Sequence, residues 1–490
     1  MSKVTPFAVC IGLLTAAPVL AQDAGALDRF ERQLEQIQRD TRLKVDTTVP
    51  ADQRVVADYG GYLTLNFLAI DDDQGTTHIL RQYDMNVYGR LNLDNVHEFF
   101  LRVRTSYRDF NTGDDFDGLG DDWVEPTLDR AHYRFDLKRY MAAYQGEMTP
   151  YDFTLQGGRQ LVHWANGLTL SQEIDGAVFD LGYEQWAMQI VLGRTRDSTT
   201  DFDSSRPSFA DETRRGFYGA LLSYQLTAQH KPFVYGLVQV DNNEAETLNS
   251  TVGGVATTTN FDYNSWYFGA GSRGNLSDNI LYGVEFVYQG GSTLSSSFDI
   301  TGGVVTALTQ TEDDISAMAF DVVIDYLMND PNRSRLTFEV IMASGDDDRI
   351  HSNNTFGGNA PNTTDRGFNG FGLLNTGLAF APSVSNLIMM RMGGSTFPSP
   401  TSPVFGKLQV GTNLFVFAKL NPDAPIDEDT KDDRYLGFEA DFYANWQITS
   451  DVAVALRYGF FVPGDAIGGA ITPNDGNVRH FFYSGLTLGF

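Results

Sequence analysis

The chain has 490 residues, with 63 Asp and Glu against 35 Lys and Arg, and a formal net charge of −28 at pH 7. This acidic balance argues against nucleic acid as a partner and is typical of acidic loops that face the cell exterior. Beyond the amino terminus there is no apolar run of about 18 residues, which excludes a helical membrane protein. The 48 glycines and the many Phe and Tyr residues favour a large β fold.

The first 21 residues have the pattern of a secretory signal peptide. Lys3 precedes an apolar core from Phe7 to Leu20, and Val19 and Ala21 occupy the −3 and −1 positions of a cleavage site. Cys10, the single cysteine, lies inside this segment and too early for a lipoprotein signal. We therefore predict a mature chain without a thiol, a disulfide or a lipid anchor.

Residues 22–58 are predicted to form a short periplasmic heptad helix and a linker. Apolar residues at 27, 30, 34 and 37 have the spacing of a coiled-coil seam, although the seam is two heptads long. So short a helix is marginal on its own. Self-association through 27–38, a helix lying against the barrel mouth and a frayed linker all remain open.

Residues 59–490 contain about eighteen strand candidates. The odd-numbered connections between them are mostly long and polar, whereas the even-numbered ones are mostly tight, as an outer-membrane barrel requires. This parity places both termini in the periplasm. Two even connections, 141–151 and 396–405, are longer than the rule predicts, so each is either a structured periplasmic loop or a sign of a misplaced strand. The candidates are 59–70, 78–93, 96–110, 128–140, 152–162, 174–182, 185–195, 214–227, 231–241, 261–273, 279–290, 313–328, 334–345, 385–395, 406–420, 434–447, 452–462 and 479–490.

The last strand carries the clearest signal. Counting back in twos from Phe490 gives Leu488, Leu486, Ser484 and Phe482 on one face, with small or polar residues on the other. Bacterial outer-membrane barrels commonly end in an aromatic residue that the barrel assembly machinery reads. We predict an all-β protein, a transmembrane antiparallel β-barrel of about 18 strands in the bacterial outer membrane, with the lipid bilayer outside and water inside.

Alternation along the strands predicts which charges face the lumen. Basic side chains of two adjacent strands, 96–110 and 128–140, form a basic wall, and further basic positions come from the last third of the chain. Inward acids are also numerous, including Asp84, Glu285, Asp321, Asp325 and Glu339. The predicted pore-lining residues are Arg90, Arg102, Arg104, Arg108, Arg130, Arg134, Lys138, Asp180, Arg391, Lys419, Glu439, Asp441 and Arg457.

Two interpretations of these charges carry equal weight. They could form a track for an anionic solute, because the planar guanidinium matches the two oxygens of a carboxylate or phosphate. They could instead pair with each other and hold a wide lumen in shape.

No motif for chemistry stands out. The acidic loops 111–118 and 427–433 lack the ligand order of a calcium loop, so we interpret them as solvated. The segment 269–274 lacks the first glycine and the strand-to-helix turn of a nucleophile elbow. The seven histidines have no metal spacing, and His132 has no recognisable catalytic partner. We predict a protein that is not an enzyme and that has no cofactor or metal.

Four short segments resemble the alginate export family of outer-membrane barrels. They are Gly157-Gly158-Arg159-Gln160 followed by Gly167-Leu168-Thr169-Leu170, then Asp175-Gly176-Ala177-Val178-Phe179-Asp180, and finally Leu192-Gly193-Arg194. The resemblance implies a monomeric pore that passes an anionic polysaccharide, or small solutes in divergent members, without energy input. By analogy Arg159, Asp175 and Arg194 would also line the conduit. Two features depart from the family: the heptads fit a trimeric anion porin better, and the many inward acids weaken a purely anionic track.

The sequence thus predicts a passive outer-membrane channel for an anionic saccharide or polysaccharide. The first alternative is a general or anion-preferring porin for small nutrients. The second is a non-conducting barrel that serves as an adhesin or scaffold through its acidic loops. Folding of the loop 346–384 separates them, because insertion into the lumen would narrow the pore and an outward position would favour display.

Overall fold

A computed structural model describes residues 55–72, 75–115, 120–210, 212–301, 304–350, 352–428, 430–468 and 476–490. The predicted signal peptide and heptad helix lie outside these residues. The strands are β1 Val55–Asp71, β2 Thr77–Leu93, β3 His97–Phe110, β4 Asp122–Asp136, β5 Tyr151–His163, β6 Ser171–Tyr183, β7 Trp186–Thr195, β8 Arg215–Tyr224, β9 His230–Asp241, β10 Thr247–Val252, β11 Val255–Asn260, β12 Tyr263–Ser277, β13 Ile280–Leu294, β14 Phe298–Thr301, β15 Val304–Ala307, β16 Glu312–Leu327, β17 Arg335–Ala343, β18 Leu387–Thr396, β19 Leu408–Lys419, β20 Tyr435–Gln447, β21 Val452–Pro463 and β22 Arg479–Gly489.

Eighteen of these strands form one closed antiparallel barrel, which confirms the predicted fold class. Each barrel strand pairs with the next along the chain, and β22 closes the sheet by pairing with β1 from Tyr62–Gly489 to Ile70–Phe481. The final residue extends this ladder, since the N–H of Phe490 donates to the Gly61 carbonyl at 2.9 Å and the Phe490 carbonyl accepts from the N–H of Gly61 at 3.0 Å. A closed sheet has no free edge, so the strands' backbone groups are satisfied within it.

The remaining strands are two hairpins outside the barrel sheet that alternation did not predict, β10–β11 and β14–β15. A second difference concerns β4, which ends at Asp136 instead of continuing to residue 140. A helical turn, α1 (Leu137–Tyr140), follows and runs into a π-helical turn, Met141–Gln145. The Asp136 side chain accepts a hydrogen bond from the N–H of Arg139 at 3.0 Å and so caps this turn. The long connection at 141–151 is therefore structured.

The connections differ between the two ends of the barrel. At one end, here called the turn end, the connections are mostly tight; Asp94 and Asn95 follow β2 with φ of 54° and 58°, a region that Asp and Asn tolerate. At the other, the loop end, long segments such as 196–214 and 344–386 join the strands. The first described residue, Val55, and Phe490 both lie at the turn end.

In the part of the chain that the structure describes, no helix is both long and apolar enough to cross a membrane.

The outer face of the barrel exposes large apolar side chains at alternate positions, as a lipid-facing surface does. Val87, Leu101 and Phe268 have exposed fractions of 45%, 48% and 53%. Aromatic pairs flank this band at both ends. Tyr151 stacks on Tyr183 at the turn end with ring centroids 5.0 Å apart. Tyr83 and Tyr107 stack at the loop end.

Two long connections fold into the lumen instead of standing outward. The first inner loop, residues 164–170, joins β5 to β6, and the second inner loop, residues 344–386, joins β17 to β18. They pair with each other, because the N–H of Phe371 donates to the Thr169 carbonyl at 3.0 Å and the N–H of Ser171 donates to the Phe371 carbonyl at 2.8 Å. Their apolar side chains are buried in the main core cluster: Trp164, Leu168, Leu170, Phe368, Phe371 and Phe380. The core therefore sits inside the barrel and narrows it.

Candidate functional site

The wall formed by β2, β3 and β4 carries the predicted basic side chains, and most of them are paired with acids. Arg90 Nη2 lies 2.6 Å from Glu98 Oε2, and Arg104 Nη2 lies 2.9 Å from Asp84 Oδ1. Arg102 forms a salt bridge with Asp129, and both side chains are almost buried. Arg130 reaches Glu173 Oε1 at 3.4 Å. In this wall the geometry matches the interpretation in which charges hold the lumen in shape.

Asp129 shows why the sequence did not predict this pairing. The register between β3 and β4 shifts after Arg102–Arg130, and the next pair is Val103–Leu128. Asp129 is therefore the extra residue of a β-bulge, and a bulge turns a side chain that alternation would place elsewhere. Arg108 and Arg134 of the same wall have no hydrogen bond or ion pair among the described residues.

A cavity of about 340 Å³ lies on another part of the wall, between β17–β21 and the second inner loop. Its volume falls in the range of small-molecule sites, about 300–1,000 Å³. Asn375 and Leu378 of the second inner loop form one side. The barrel side is polar and includes Arg335, Arg391, Asn413, Asp441, Tyr443 and Arg457.

Three arginines contribute positive charge to the lining of this cavity. Arg391 Nη2 lies 2.7 Å from Glu339 Oε2, while the Nε of Arg391 is buried and has no hydrogen-bond partner among the described residues. Arg335 binds Asp325 through two contacts of 2.9 and 2.6 Å, yet its side chain is 49% exposed. Arg457 lies over the ring of Tyr443, 5.3 Å from the centroid. Arg391 thus retains an unused donor and Arg335 an accessible edge beside the cavity, whereas Arg457 is buried and its Nη1 donates to the Leu456 carbonyl at 2.9 Å.

Arg391, Asp441 and Arg457 were predicted from alternation, but Arg335 and Tyr443 were missed. The signal for Arg335 was present, because it lies four residues before the inward Glu339 on the same strand and hence on the same face. The contribution of Asn375 could not be predicted, because it depends on how a 43-residue connection folds back, from 344 to 386.

Glu439 fixes the second inner loop to the barrel wall. Its carboxylate accepts hydrogen bonds from three successive backbone N–H groups, those of Leu378, Ala379 and Phe380, the last two at 2.8 and 2.9 Å. Phe380 then stacks on Phe461 with centroids 4.2 Å apart. Glu439 is completely buried by these contacts, so it positions the loop and does not itself line open space.

The strand register corrects the prediction that Arg159, Asp175 and Arg194 face the lumen. Register pairs Arg159 with Asp175 and Asp175 with Arg194, so the three share one face. Val178 and Val191, at positions of opposite parity, are buried in the lumenal core. Alternation therefore turns the three charged residues to the outer face of the barrel.

Two of the three remaining predicted residues, Lys419 and Lys138, have different surroundings from those expected. Lys419 is buried at the loop end, where its Nζ donates to the Lys431 carbonyl at 2.6 Å. Lys138 lies in the helical turn at the turn end, 4.0 Å from Asp152. Asp180 does face the lumen and accepts a hydrogen bond from Gln189 at 2.7 Å.

Polar contacts also tie the loop-end segments together. Asp203, in the loop between β7 and β8, accepts hydrogen bonds from Ser205 and from Thr355 of the second inner loop. Burial raises the pKa of the Asp203 carboxyl above its ordinary value. Arg349 and Asp365 form a buried pair at 2.6 Å within the second inner loop. Among the described residues, no three His, Cys, Asp or Glu side chains come together as a metal site.

Comparisons with known proteins agree with this architecture. A family model for alginate export matches residues 70–479. No curated protein matches the chain. Solved structures with a similar fold include OccAB1 and OccAB2 of Acinetobacter baumannii and OccK7 (OpdD) of Pseudomonas aeruginosa, each with a TM-score of 0.50 and 11% identity over 89% of this chain. The matched regions cover 96%, 98% and 98% of those chains, respectively, and at this identity the likeness concerns the fold alone. The chain belongs to the alginate export family, and it is an outer-membrane channel and not an enzyme.

Proposed function

We propose that this channel passes small anionic saccharides, of the uronate type, by passive diffusion. The observation that carries the proposal is the cavity in which Arg335, Arg391 and Arg457 converge beside the second inner loop. A carboxylate oxygen pair fits the planar donor fork of arginine, and sugar hydroxyls fit the amides and hydroxyl of Asn413, Asn445 and Tyr443.

Release of the solute is as necessary as its capture. Acids stand close to all three cations: Asp325 binds Arg335, Glu339 binds Arg391, and Asp441 lines the same cavity. They lower the net attraction for an anion, and conduction requires sites that are favourable enough to enter and weak enough to leave. This balance supports transport in preference to tight storage.

The inserted loops favour small cargo over a wide polymer. Phe368 and Phe380 are completely buried inside the barrel, so the two inner loops occupy much of its cross-section. We therefore expect monosaccharides and short oligosaccharides to pass through the channel more readily than long polysaccharide chains. Insertion of the loop 344–386 also argues against the display role, because that loop is not available on the exterior.

Orientation follows from the connections. We infer that the loop end faces the cell exterior and that both barrel termini face the periplasm, since outer-membrane barrels keep short turns on the periplasmic side. The barrel assembly machinery would then read the strand that ends at Phe490, and the outer surface would contact outer-membrane lipids. Self-association through 27–38 stays a prediction.

The test is single-channel recording in planar bilayers with reversal potentials under a salt gradient and added oligouronates. The wild type should prefer anions and be blocked by oligouronates, and the neutral parent oligosaccharides should block less. The double variant Arg335→Gln/Arg391→Gln should lose this block and shift selectivity toward cations.

The matched control is Arg104→Gln, which removes one cation from the paired wall outside the cavity. It should keep the block by oligouronates. An unblocked and weakly selective conductance in the wild type would instead identify a general porin. Equal block of the wild type and the double variant would refute the role of the cavity.

A further inference from the structure

We propose that charged side chains on the lipid-facing surface of β5–β7 bind the phosphate group of an outer-leaflet glycolipid. The residues are Arg159, Asp175, Arg194 and Arg196 with Glu173, here called the outer charged strip. Arg159, Asp175 and Arg194 lie outside the channel described above, whereas Arg196 and Glu173 also contact Asp129 and Arg130 of the β4 wall. The proposal uses the inferred orientation of the barrel but not the identity of the transported solute.

The facing of the outer charged strip follows from its neighbours. Leu192 is 45% exposed and lies two residues before Arg194 on the same face of β7. Arg194 pairs in register with Asp175, and Asp175 pairs with Arg159. Across β4, the partner of Arg159 is Ala131, which shares its face with the outward Tyr133. Both neighbouring ladders thus place Arg159, Asp175 and Arg194 on the outside. Arg196 lies just past the end of β7, beside the point where the β4–β5 ladder ends.

The strip lies near the upper edge of the apolar band, where long arginine side chains can reach lipid headgroups. Tyr151, Tyr183 and Trp186 mark the turn end of the same three strands. Arg159 lies eight residues beyond Tyr151, about 26 Å along the strand. With a strand tilt of about 40°, this corresponds to about 20 Å of the apolar band, which is about 25 Å tall. Charge on the lipid face is costly at mid-depth and costs little near the interface.

One arginine of the strip already has a structural task. The β4–β5 ladder ends at the Ala131–Arg159 pair, whereas β4 continues beside β3 as far as Asp122. Backbone groups of β4 above that point lack a strand partner on the β5 side, and in hydrocarbon such groups are expensive. Arg159 supplies a hydrogen-bond donor to one of these backbone groups, because its Nη1 donates to the Leu128 carbonyl at 2.5 Å. The rest of its guanidinium binds Asp175 at 2.6 and 2.7 Å.

Two arginines keep unused donors. Arg194 is exposed and makes no hydrogen bond or ion pair with the residues that the structure describes. Arg196 Nη1 lies 3.6 Å from Glu173 Oε2 and 3.8 Å from Asp129 Oδ1, distances too long for strong hydrogen bonds. The Nε of Arg196 is buried without a partner among the described residues. Neither arginine has a structural role comparable to that of Arg159.

An anion at headgroup height would satisfy these donors. A phosphate monoester carries a charge of about −1.5 to −2 at neutral pH and offers three strong acceptor oxygens. Asp175 and Glu173 are already engaged by Arg159 and Arg130, so Arg194 and Arg196 contribute the positive charge that remains available. Arg194 is an exposed cation on the lipid face of a chain whose net charge is −28. The phosphorylated glycolipid of the outer leaflet is the partner with this chemistry at this position.

The test measures lipid binding to the purified full chain in neutral detergent by native mass spectrometry. The probes are bis-phosphorylated lipid A, dephosphorylated lipid A and phosphatidylglycerol. The wild type should bind the phosphorylated glycolipid best. Arg194→Gln/Arg196→Gln should weaken that binding at least about tenfold, as loss of charge-assisted hydrogen bonds predicts. The binding of dephosphorylated lipid A should stay unchanged.

The matched control is Arg81→Gln, which removes an outward arginine of the rim that contacts Asp109 at 3.5 Å. It should bind the glycolipid as the wild type does. Equal affinity for dephosphorylated lipid A, or wild-type affinity in the double variant, would refute the site, and stronger binding of phosphatidylglycerol would overturn its assignment to a glycolipid. Conductance and block by oligouronates should be unchanged in the double variant, so failure here is distinguishable from failure of the transport proposal.

Discussion

The wall β2–β4 and the wall β17–β21 both present arginines to the lumen, but their surroundings differ. In the first wall Arg90, Arg102 and Arg104 each have a neighbouring acid within the sheet. In the second wall an inserted loop covers the arginines and leaves a cavity of about 340 Å³ between loop and sheet. The count of basic residues therefore says little about where an anion binds.

The difference teaches that a lumenal arginine contributes to solute binding when a second structural layer leaves space beside it. Paired charges in the first wall maintain the shape of the barrel, because acids on neighbouring strands bind Arg90, Arg102 and Arg104. Where the second inner loop leaves a cavity beside the wall, Arg391 retains an unused Nε and Arg335 has an exposed face. Four predictions test this contrast.

The largest effect is expected from Glu439→Ala. Three backbone N–H groups of the second inner loop lose their acceptor, and each unsatisfied buried donor costs about 1–3 kcal/mol. The loop should detach, which removes the cavity and widens the pore. Single-channel conductance should rise and limited proteolysis should cut within 344–386.

Asp180→Ala, which removes a lumenal acid on another wall, is the control and should change neither the conductance nor the proteolysis. An intact, protected loop in Glu439→Ala would contradict this account of the anchor.

Arg102→Gln should reduce stability without affecting solute recognition. It leaves Asp129 almost buried, with Arg196 at 3.8 Å as its remaining ion-pair partner, so the cost should fall below the about 3–5 kcal/mol of a buried charge left unpaired. The midpoint of unfolding in denaturant should fall, while ion selectivity stays the same. Arg108→Gln, on the same strand and face, should leave stability unchanged. A shift in selectivity for Arg102→Gln would mean that the paired wall belongs to the track.

The loop-end contact of Asp203 should make stability depend on pH. Burial raises the pKa of this carboxyl in the folded protein, so folding favours its protonated form. Its contribution is therefore most favourable below the ordinary Asp range and decreases as pH rises through that range toward the raised folded value. Asp203→Asn should flatten the change in melting temperature between about pH 4 and about pH 8. Asp197→Asn, an exposed position in the same loop, should retain the wild-type profile.

The smallest effect is expected from Lys138→Gln at the turn end. Lys138 and Asp152 are more than half exposed and 4.0 Å apart, and such pairs contribute about 0–1 kcal/mol. Neither stability nor block by oligouronates should change measurably. A loss of anion selectivity would show that charge at the turn end contributes to the track, which would weaken the contrast between the two walls.

Much of the fold could be predicted because a barrel strand has a lipid side and a water side. The alternation of Phe99, Leu101 and Val103 with Arg102 and Arg104 places the latter in the lumen, and the structure agrees. The same rule failed at Asp129, where a bulge interrupts the count. It was not applied strictly to Arg159, Asp175 and Arg194, whose facing came from a family resemblance and proved to be outward.

The sequence by itself determined that this chain forms a barrel of about eighteen strands closed by its last one. That information is local, because alternation, turn residues and loop lengths act within a few residues of one another. The tertiary structure decided which arginines are paired and where a cavity remains. Those outcomes depend on cross-strand register and on contacts such as those of Leu378 with Glu439, which join residues 61 positions apart. Such contacts have no periodic pattern along the chain, so they can be identified only in the folded structure.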